Sequence, residues 1–251
     1  MWNRLFGLLR MAEATVSGEG REPDVVAELL HAALLGQDPA AAERIGTLLI
    51  GRSPEAAIRL GEEAGAWLPR SPTGQEREAW IRGLRASRAS VPAATVPLAG
   101  MLSFHGDGYV REAAVRALID ADADAGLHYL MVRANDWVAE VRELAAEAAL
   151  SRIPTLPGER LAELLPLGLR LGRAGRGGGR ISRAVLEALQ GAEGREALVI
   201  GTASHDADVR RCCFDLLAEH TGPRIETVEV KTIPDIEKAI ARLLVEYADD
   251  E

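Results

Sequence analysis

The stretch "VREAAVRALID" at residues 110–120 is written again, more loosely, as "VRELAAEAAL" at 141–150 and "VRRCCFDLL" at 209–217. A short amphipathic helix cannot bury its apolar face alone, so a helix that recurs must stack on copies of itself. From Val110, the apolar or small residues Val110, Ala113, Ala114, Ala117 and Leu118 fall at i, i+3, i+4, i+7 and i+8, one stripe of an α-helix. The same offsets give Val141, Leu144, Ala145, Ala148 and Ala149, then Val209, Cys212, Cys213, Leu216 and Leu217. Two weaker copies start at Ile181 (Ala184, Val185, Ala188, Leu189) and at Glu76 (Ala79, Trp80, Gly83, Leu84).

The stripe alone is a weak signal in an alanine-rich chain, and Val26, Leu29, Leu30, Ala33 and Leu34 satisfy it too. Two features sharpen it. Arginine holds the second position in four of the five copies (Arg77, Arg111, Arg142, Arg210), with Ser182 the exception. The starts lie 34, 31, 40 and 28 residues apart, a spacing that suits a two-helix unit. The partner helices are the apolar segments 93–104, 126–134, 160–171 and 195–204, each followed by a turn rich in Gly, Asp, Asn or His. In those turns Asp107, Asp136 and Asp206 are placed to cap the next helix, because a carboxylate there accepts from free backbone N–H groups.

The pattern "D-x-x-V-R-x-x-A-x-x-A-L" at 107–118, looser at 206–217 and extended in "NDWVAEVRELAAEAAL" (135–150), resembles the HEAT repeat family in its short bacterial form. The resemblance covers roughly 75–220. It implies an all-α, right-handed α-solenoid of stacked antiparallel helix pairs. It also implies that the arginines pair with turn aspartates and lock neighbouring repeats, a ladder of Asp107, Arg111, Asp136, Arg142, Asp206 and Arg210, with Arg77 at its start. The unit around Ser182 lacks the arginine and contains Pro166 and a glycine run, which puts its stacking in question. The family includes DNA-repair glycosylases and bilin lyases, and no residue constellation here transfers either activity.

Upstream, 22–36, 39–50 and 53–67 read as three more helices, with Ser53 and Pro54 a cap followed by proline at the first helical position. They are expected to extend or cap the array, so that 1–222 forms one solenoid. The start "MWNRLFGLLRMAEA" reads as a first amphipathic helix, since Arg4 and Arg10 interrupt any run of signal or membrane length. Residues 223–251 read as an extension. Within it, "RIETVEVKTI" contains the one stretch, 225–231, dense enough in β-branched residues to suggest a strand. It serves either as a connector or as a strand that pairs with a second copy or another protein. An acidic helix follows, with Thr232 and Asp235 as its capping box.

Net charge is −9, of which −5 falls in 226–251, so the chain is not built to coat nucleic acid. Basic residues are almost all arginine, and with the abundant alanine and glycine this reads as the coding bias of a GC-rich bacterial genome. Cys212 and Cys213 are adjacent in a helical pattern and cannot reach disulfide geometry with each other, which suits a reducing cytoplasm.

Chemistry is hard to find. His105 and His205 sit in matching turns beside aspartates, but three repeats place them on the order of 25–30 Å apart, too far to share a metal. His31, His128 and His220 have no ligand-spaced partner. No nucleophile elbow or phosphate loop is present, and Cys212 and Cys213 fall on core positions. The expectation is therefore no catalytic, cofactor or metal residue, and a protein-binding scaffold or adaptor without membrane contact. Tyr109 and Trp137, large aromatics in consecutive turns, are candidate anchors for a protein partner. The acid-free Arg/Gly-rich stretch 170–183, with Arg170, Arg173, Arg176, Arg180 and Arg183, is the candidate for an acidic partner or, as the alternative function, a nucleic-acid backbone.

Overall fold

The computed structural model describes residues 22–68, 73–121, 124–191 and 194–220, and among these it forms twelve α-helices and no strand. Local chemistry sets several of the starts. Asp38 Oδ1 accepts from the Ala40 N–H at 2.9 Å, Ser53 Oγ from Ala56 at 3.3 Å, and each is followed by proline. Thr73 and Glu76 form a reciprocal capping box. After α1 (Glu22–Leu34), these caps open α2 (Pro39–Leu49), α3 (Pro54–Gly65) and α4 (Gly74–Ser90). Four pairs follow: α5 (Thr95–Leu102) with α6 (Gly108–Ala121), α7 (Leu127–Arg133) with α8 (Ala139–Arg152), α9 (Gly158–Gly172) with α10 (Gly178–Leu189), and α11 (Gly194–Thr202) with α12 (Ala207–His220). The two members of every pair pack on each other.

Neighbouring pairs also touch. The second helices run α4 on α6, α6 on α8 and α8 on α10, while among the first helices α7 meets α9 and α9 meets α11. The helix that contains Pro166 continues through it and packs along α10. This unit, whose stacking the sequence puts in question, also packs on its neighbours, α9 on α7 and α11 and α10 on α8.

The buried stripe is turned slightly from its expected setting. Positions i, i+4 and i+8 are buried in α6 and α8 (Val110, Ala114, Leu118; Val141, Ala145, Ala149), but i+3 is only half-buried and i+5 is fully buried instead (Val115, Ala146). A helix with a neighbour on either side presents i+5 to the next pair as well as i+4 to its own partner. In α10 and α12 the i+5 residues, Leu186 and Phe214, are half-buried.

The upstream helices do more than lengthen a row. Besides packing on α1, α3 contacts α5, α7 and α9, the first helices of three successive pairs. Two glycines allow its approach. A Cβ on Gly61 would stand 2.4 Å from the Phe104 ring, and one on Gly65 would stand 2.5 Å from the Phe104 carbonyl oxygen. These two positions, four apart on one face, form the notch that receives the residue just beyond α5. The N-terminal segment, the 225–231 stretch and the acidic C-terminal helix all lie outside the described residues.

Candidate functional site

The turns that precede α6 and α8 hold the densest polar chemistry. In the first, Asp107 Oδ1 accepts from the Tyr109 and Val110 N–H groups at 2.9 and 3.3 Å, which caps α6. Its other oxygen accepts from Arg77 Nε at 3.0 Å, a residue of α4. Burial acts to raise the Asp107 pKa, but the Arg77 hydrogen bond and the two backbone bonds hold it below its ordinary value. In the second turn, Asp136 Oδ1 accepts from the Val138 N–H at 2.9 Å; Val138 itself is the N-cap of α8 and the helix has no side-chain cap, so the expected capping by Asp136 gives way to a turn bond one step earlier. It receives both Nε and Nη2 of Arg111, at 2.9 and 3.0 Å. Arg133 adds a further bond to Asp136 Oδ2 at 3.1 Å. This third cation was not foreseen, although the spacing in "RAND" contains it.

The two joints share one design. The arginine at the second position of a helix reaches forward to the capping aspartate of the next pair, and its plane lies under an aromatic of the same turn. Arg77 sits 4.6 Å from the Tyr109 ring centre and Arg111 5.2 Å from that of Trp137. Both aromatics are exposed on their outer sides, at 63% and 68%. Neither serves the core.

The later arginines act differently. Arg142 Nη1 donates to the Asp136 carbonyl at 3.1 Å, and Arg210 Nη1 to the Ser204 carbonyl at 2.7 Å, each six residues back. Arg111 makes the same backward bond to His105 at 3.0 Å. The turn after α9, where Arg142 would find its aspartate, contains Gly177 instead, and a Cβ there would stand 2.1 Å from the Ala134 carbonyl oxygen. Among the described residues, Arg142 and Arg210 therefore bond to main-chain carbonyls and not to turn aspartates, and Arg142 also meets the exposed Glu143 at 3.4 Å; the segment beyond α12 that Arg210 would reach forward to lies outside the described residues. Asp206 does cap α12, through Asp208 and Val209 N–H.

The Arg/Gly-rich stretch closes into a short turn between Gly172 and Gly178. Arg173 pairs with Asp208 at 2.7 Å and Arg180 with Glu143 at 2.9 Å. Arg176 adopts a left-handed φ of 55°, and Arg170, Arg176 and Arg183 are exposed.

The structure separates the histidines by environment. His105 is buried against Trp80, its Nδ1 accepting from the Asp107 N–H at 2.9 Å, whereas His205 is exposed. Burial lowers the His105 pKa to about 4, overcoming Asp107 and helped by Arg111. Cys213 is buried, with its sulfur against Gly201, and burial pushes its thiol up to about 12. It is a core residue with no thiolate to offer. Among the described residues no three His, Cys, Asp or Glu side chains are placed to hold a metal ion, and no helix is long and apolar enough to cross a membrane.

No family model, curated protein or solved structure matches the chain. Among the described residues, the fold and its turns define an all-helical arrangement of packed helix pairs, joined at two places by an arginine–aspartate contact beneath an exposed aromatic, half-buried at Arg77–Asp107 and buried at Arg111–Asp136.

Proposed function

We propose that the chain is a HEAT-like right-handed solenoid that works as a non-catalytic, cytoplasmic scaffold or adaptor, holding a protein partner along the turn edge that displays Tyr109 and Trp137. The observation that carries this reading is the placement of the two rings. They occupy equivalent turns of consecutive helix pairs, are exposed, and are backed by guanidinium groups that are themselves fixed by aspartates. Rigid aromatics presented on a fixed base form interface anchors at low entropic cost. The packing of α4 on α6, α6 on α8 and α8 on α10 supports the solenoid part of the proposal.

Nucleic-acid binding through 170–183 is the weaker alternative, because the chain carries a net charge of −9, which repels a polyanion. No aromatic is interleaved with them for base stacking. The test is quantitative affinity capture from cells with the intact chain and with a Tyr109→Ala, Trp137→Ala double variant. A scaffold loses its specific partner in the variant at unchanged helicity. A partner recovered equally by both proteins removes this edge from the function.

A further inference from the structure

A cleft of about 880 Å³ opens on a different part of the molecule, between the α2–α3 connection, the 3₁₀ turn Pro92–Ala94 with the start of α5, the end of α6, and α7. Its size lies within the range of small-molecule sites. The walls are apolar for the most part, with Leu49, Ile50, Val96, Pro97 and Tyr129, and they carry three arginines, Arg52, Arg88 and Arg160, against one acid, Asp120.

His128 also lines this cleft, and it is anomalous. It is only 7% exposed, and among the described residues neither ring nitrogen has a hydrogen-bond partner. Buried imidazole nitrogens are ordinarily satisfied, because leaving a buried polar group unpaired is expensive. The ring rests on Tyr129, with centroids 3.9 Å apart, so it is held by packing. Burial, with the nearby positive charge of Arg160, lowers its pKa to about 3. The imidazole is therefore neutral, one nitrogen a donor and the other an acceptor. Arg160 is held only by Glu163, an exposed residue one turn along its own helix, and by the Asp124 carbonyl at 3.1 Å. An exposed pair of this kind contributes little and exchanges readily.

We propose that this cleft is a binding site for a small organic carboxylate with an apolar skeleton. The ligand's carboxylate displaces Glu163 from the Arg160 guanidinium and accepts from the His128 N–H, while its skeleton lies on Tyr129, Val96 and Pro97. A carboxylate fits because its two oxygens match the guanidinium fork. The other two arginines are already paired, Arg52 with Glu22 and Arg88 with Asp120, which leaves Arg160 as the anchor for the carboxylate. The site is independent of the aromatic turn edge, so either assignment can fail without the other.

The experiment follows the His128 ring nitrogens by two-dimensional ¹⁵N–¹H NMR, and thermal unfolding, while 4-phenylbutyrate, acetate or phenyl phosphate is added to the full chain. Saturable displacement of the His128 resonances by phenylbutyrate, with a rise in Tm, is the expected result. Acetate should be at least about tenfold weaker, since it lacks the skeleton. Arg160→Met should weaken phenylbutyrate about tenfold or more. His128→Leu should remove binding yet leave the fold at least as stable, since it deletes an unsatisfied buried polar group. No saturable shift with phenylbutyrate at millimolar concentration overturns the proposal, as does undiminished binding in Arg160→Met. Acetate binding as tightly as phenylbutyrate reduces the site to a charge contact, and preference for phenyl phosphate reassigns its ligand class; both defeat the carboxylate assignment.

Discussion

Arg111 grips Asp136 with both arms of its fork, Nε to Oδ2 at 2.9 Å and Nη2 to Oδ1 at 3.0 Å, and the side chains are only 3% and 1% exposed. The carboxylate also accepts from Arg133 and from the Val138 N–H in the turn before α8, so all of its acceptor capacity is used. One carboxylate thus joins α6, α7 and α8. Its value to the fold lies in completeness, because a buried charge that loses its partner is far more costly than the pair is stabilising.

Removing either side of that contact is therefore expected to cost about 3–5 kcal/mol. Asp136→Ala should be the more damaging change, since it strands two buried cations and an N-terminal helix turn. Arg111→Lys should also fail to restore stability, because an ammonium cannot replace a two-armed planar contact. Arg142→Ala, which removes one bond to a carbonyl and a long contact to the exposed Glu143, should cost only about 1 kcal/mol. Urea denaturation of the four proteins checks the order. Equal losses at Arg111 and Arg142 would refute the distinction between the forward and backward contacts.

The seating of α3 gives a second prediction. Gly61→Ala forces a methyl group into the Phe104 ring and should destabilise by about 1–3 kcal/mol. Part of that loss should return when Phe104 is shortened to Leu in the same chain. Gly65→Ala should cost at least as much, and Phe104→Leu should not rescue it, because the obstruction there is a backbone oxygen. Gly74→Ala, with open space around the position, serves as the neutral control.

What was legible in the sequence and what was not divides along chain distance. The caps Asp107 and Asp206 and the start of α3 were readable, because each depends on residues two to four positions apart. Helix pairing was readable from a repeated stripe. The position of α3 was not, since its contacts with α7 and α9 join residues far apart in sequence and leave no periodic trace. Gly61 and Gly65 become a signal only once Phe104 is known to approach them. The cleft was hidden for the same reason. His128 has no partner at ligand spacing in the sequence, and its neighbours come from five segments of the chain. The arginine ladder was half readable, as arginine and aspartate recur at fixed offsets until Gly177 takes the place of the third acid.

The two buried histidines predict how stability changes with acid. Their folded pKa values, about 4 for His105 and about 3 for His128, lie below the ordinary 6.5. Between those limits the unfolded chain binds more protons than the folded one, so stability is complete above pH 6.5 and falls as pH drops toward 4. Each histidine contributes a slope of roughly 1.4 kcal/mol per pH unit. Asp107, whose pKa is lowered, adds its own loss at lower pH, as the medium passes through the ordinary carboxylate range and then its folded value. Denaturation at pH 7 and pH 5 should show a clear drop for the intact chain and about half of it for His128→Leu. A His128→Leu protein with the full drop would mean that this ring is not held neutral.

The arginine-rich turn yields the last prediction. A chain that grips nucleic-acid backbone releases counterions, so its binding weakens steeply with salt in proportion to the phosphates contacted. Here Arg173 is drawn to Asp208, whose pKa the contact lowers, and Arg180 is drawn to Glu143, lowered in the same way. Those pairs are exposed and exchange readily, so the expectation rests on the net charge of −9, which repels a polyanion. The triple change Arg173→Gln, Arg176→Gln, Arg180→Gln is therefore expected to leave retention on immobilised DNA or RNA at low salt unchanged, and to leave capture of the protein partner unchanged as well. If the intact chain is retained with a strong salt dependence that the triple variant loses, the guanidinium groups exchange their internal acids for phosphate, and the nucleic-acid reading replaces the scaffold. The conflict between the two functions is thus decided by whether Asp208 and Glu143 hold their partners when a polyanion is offered.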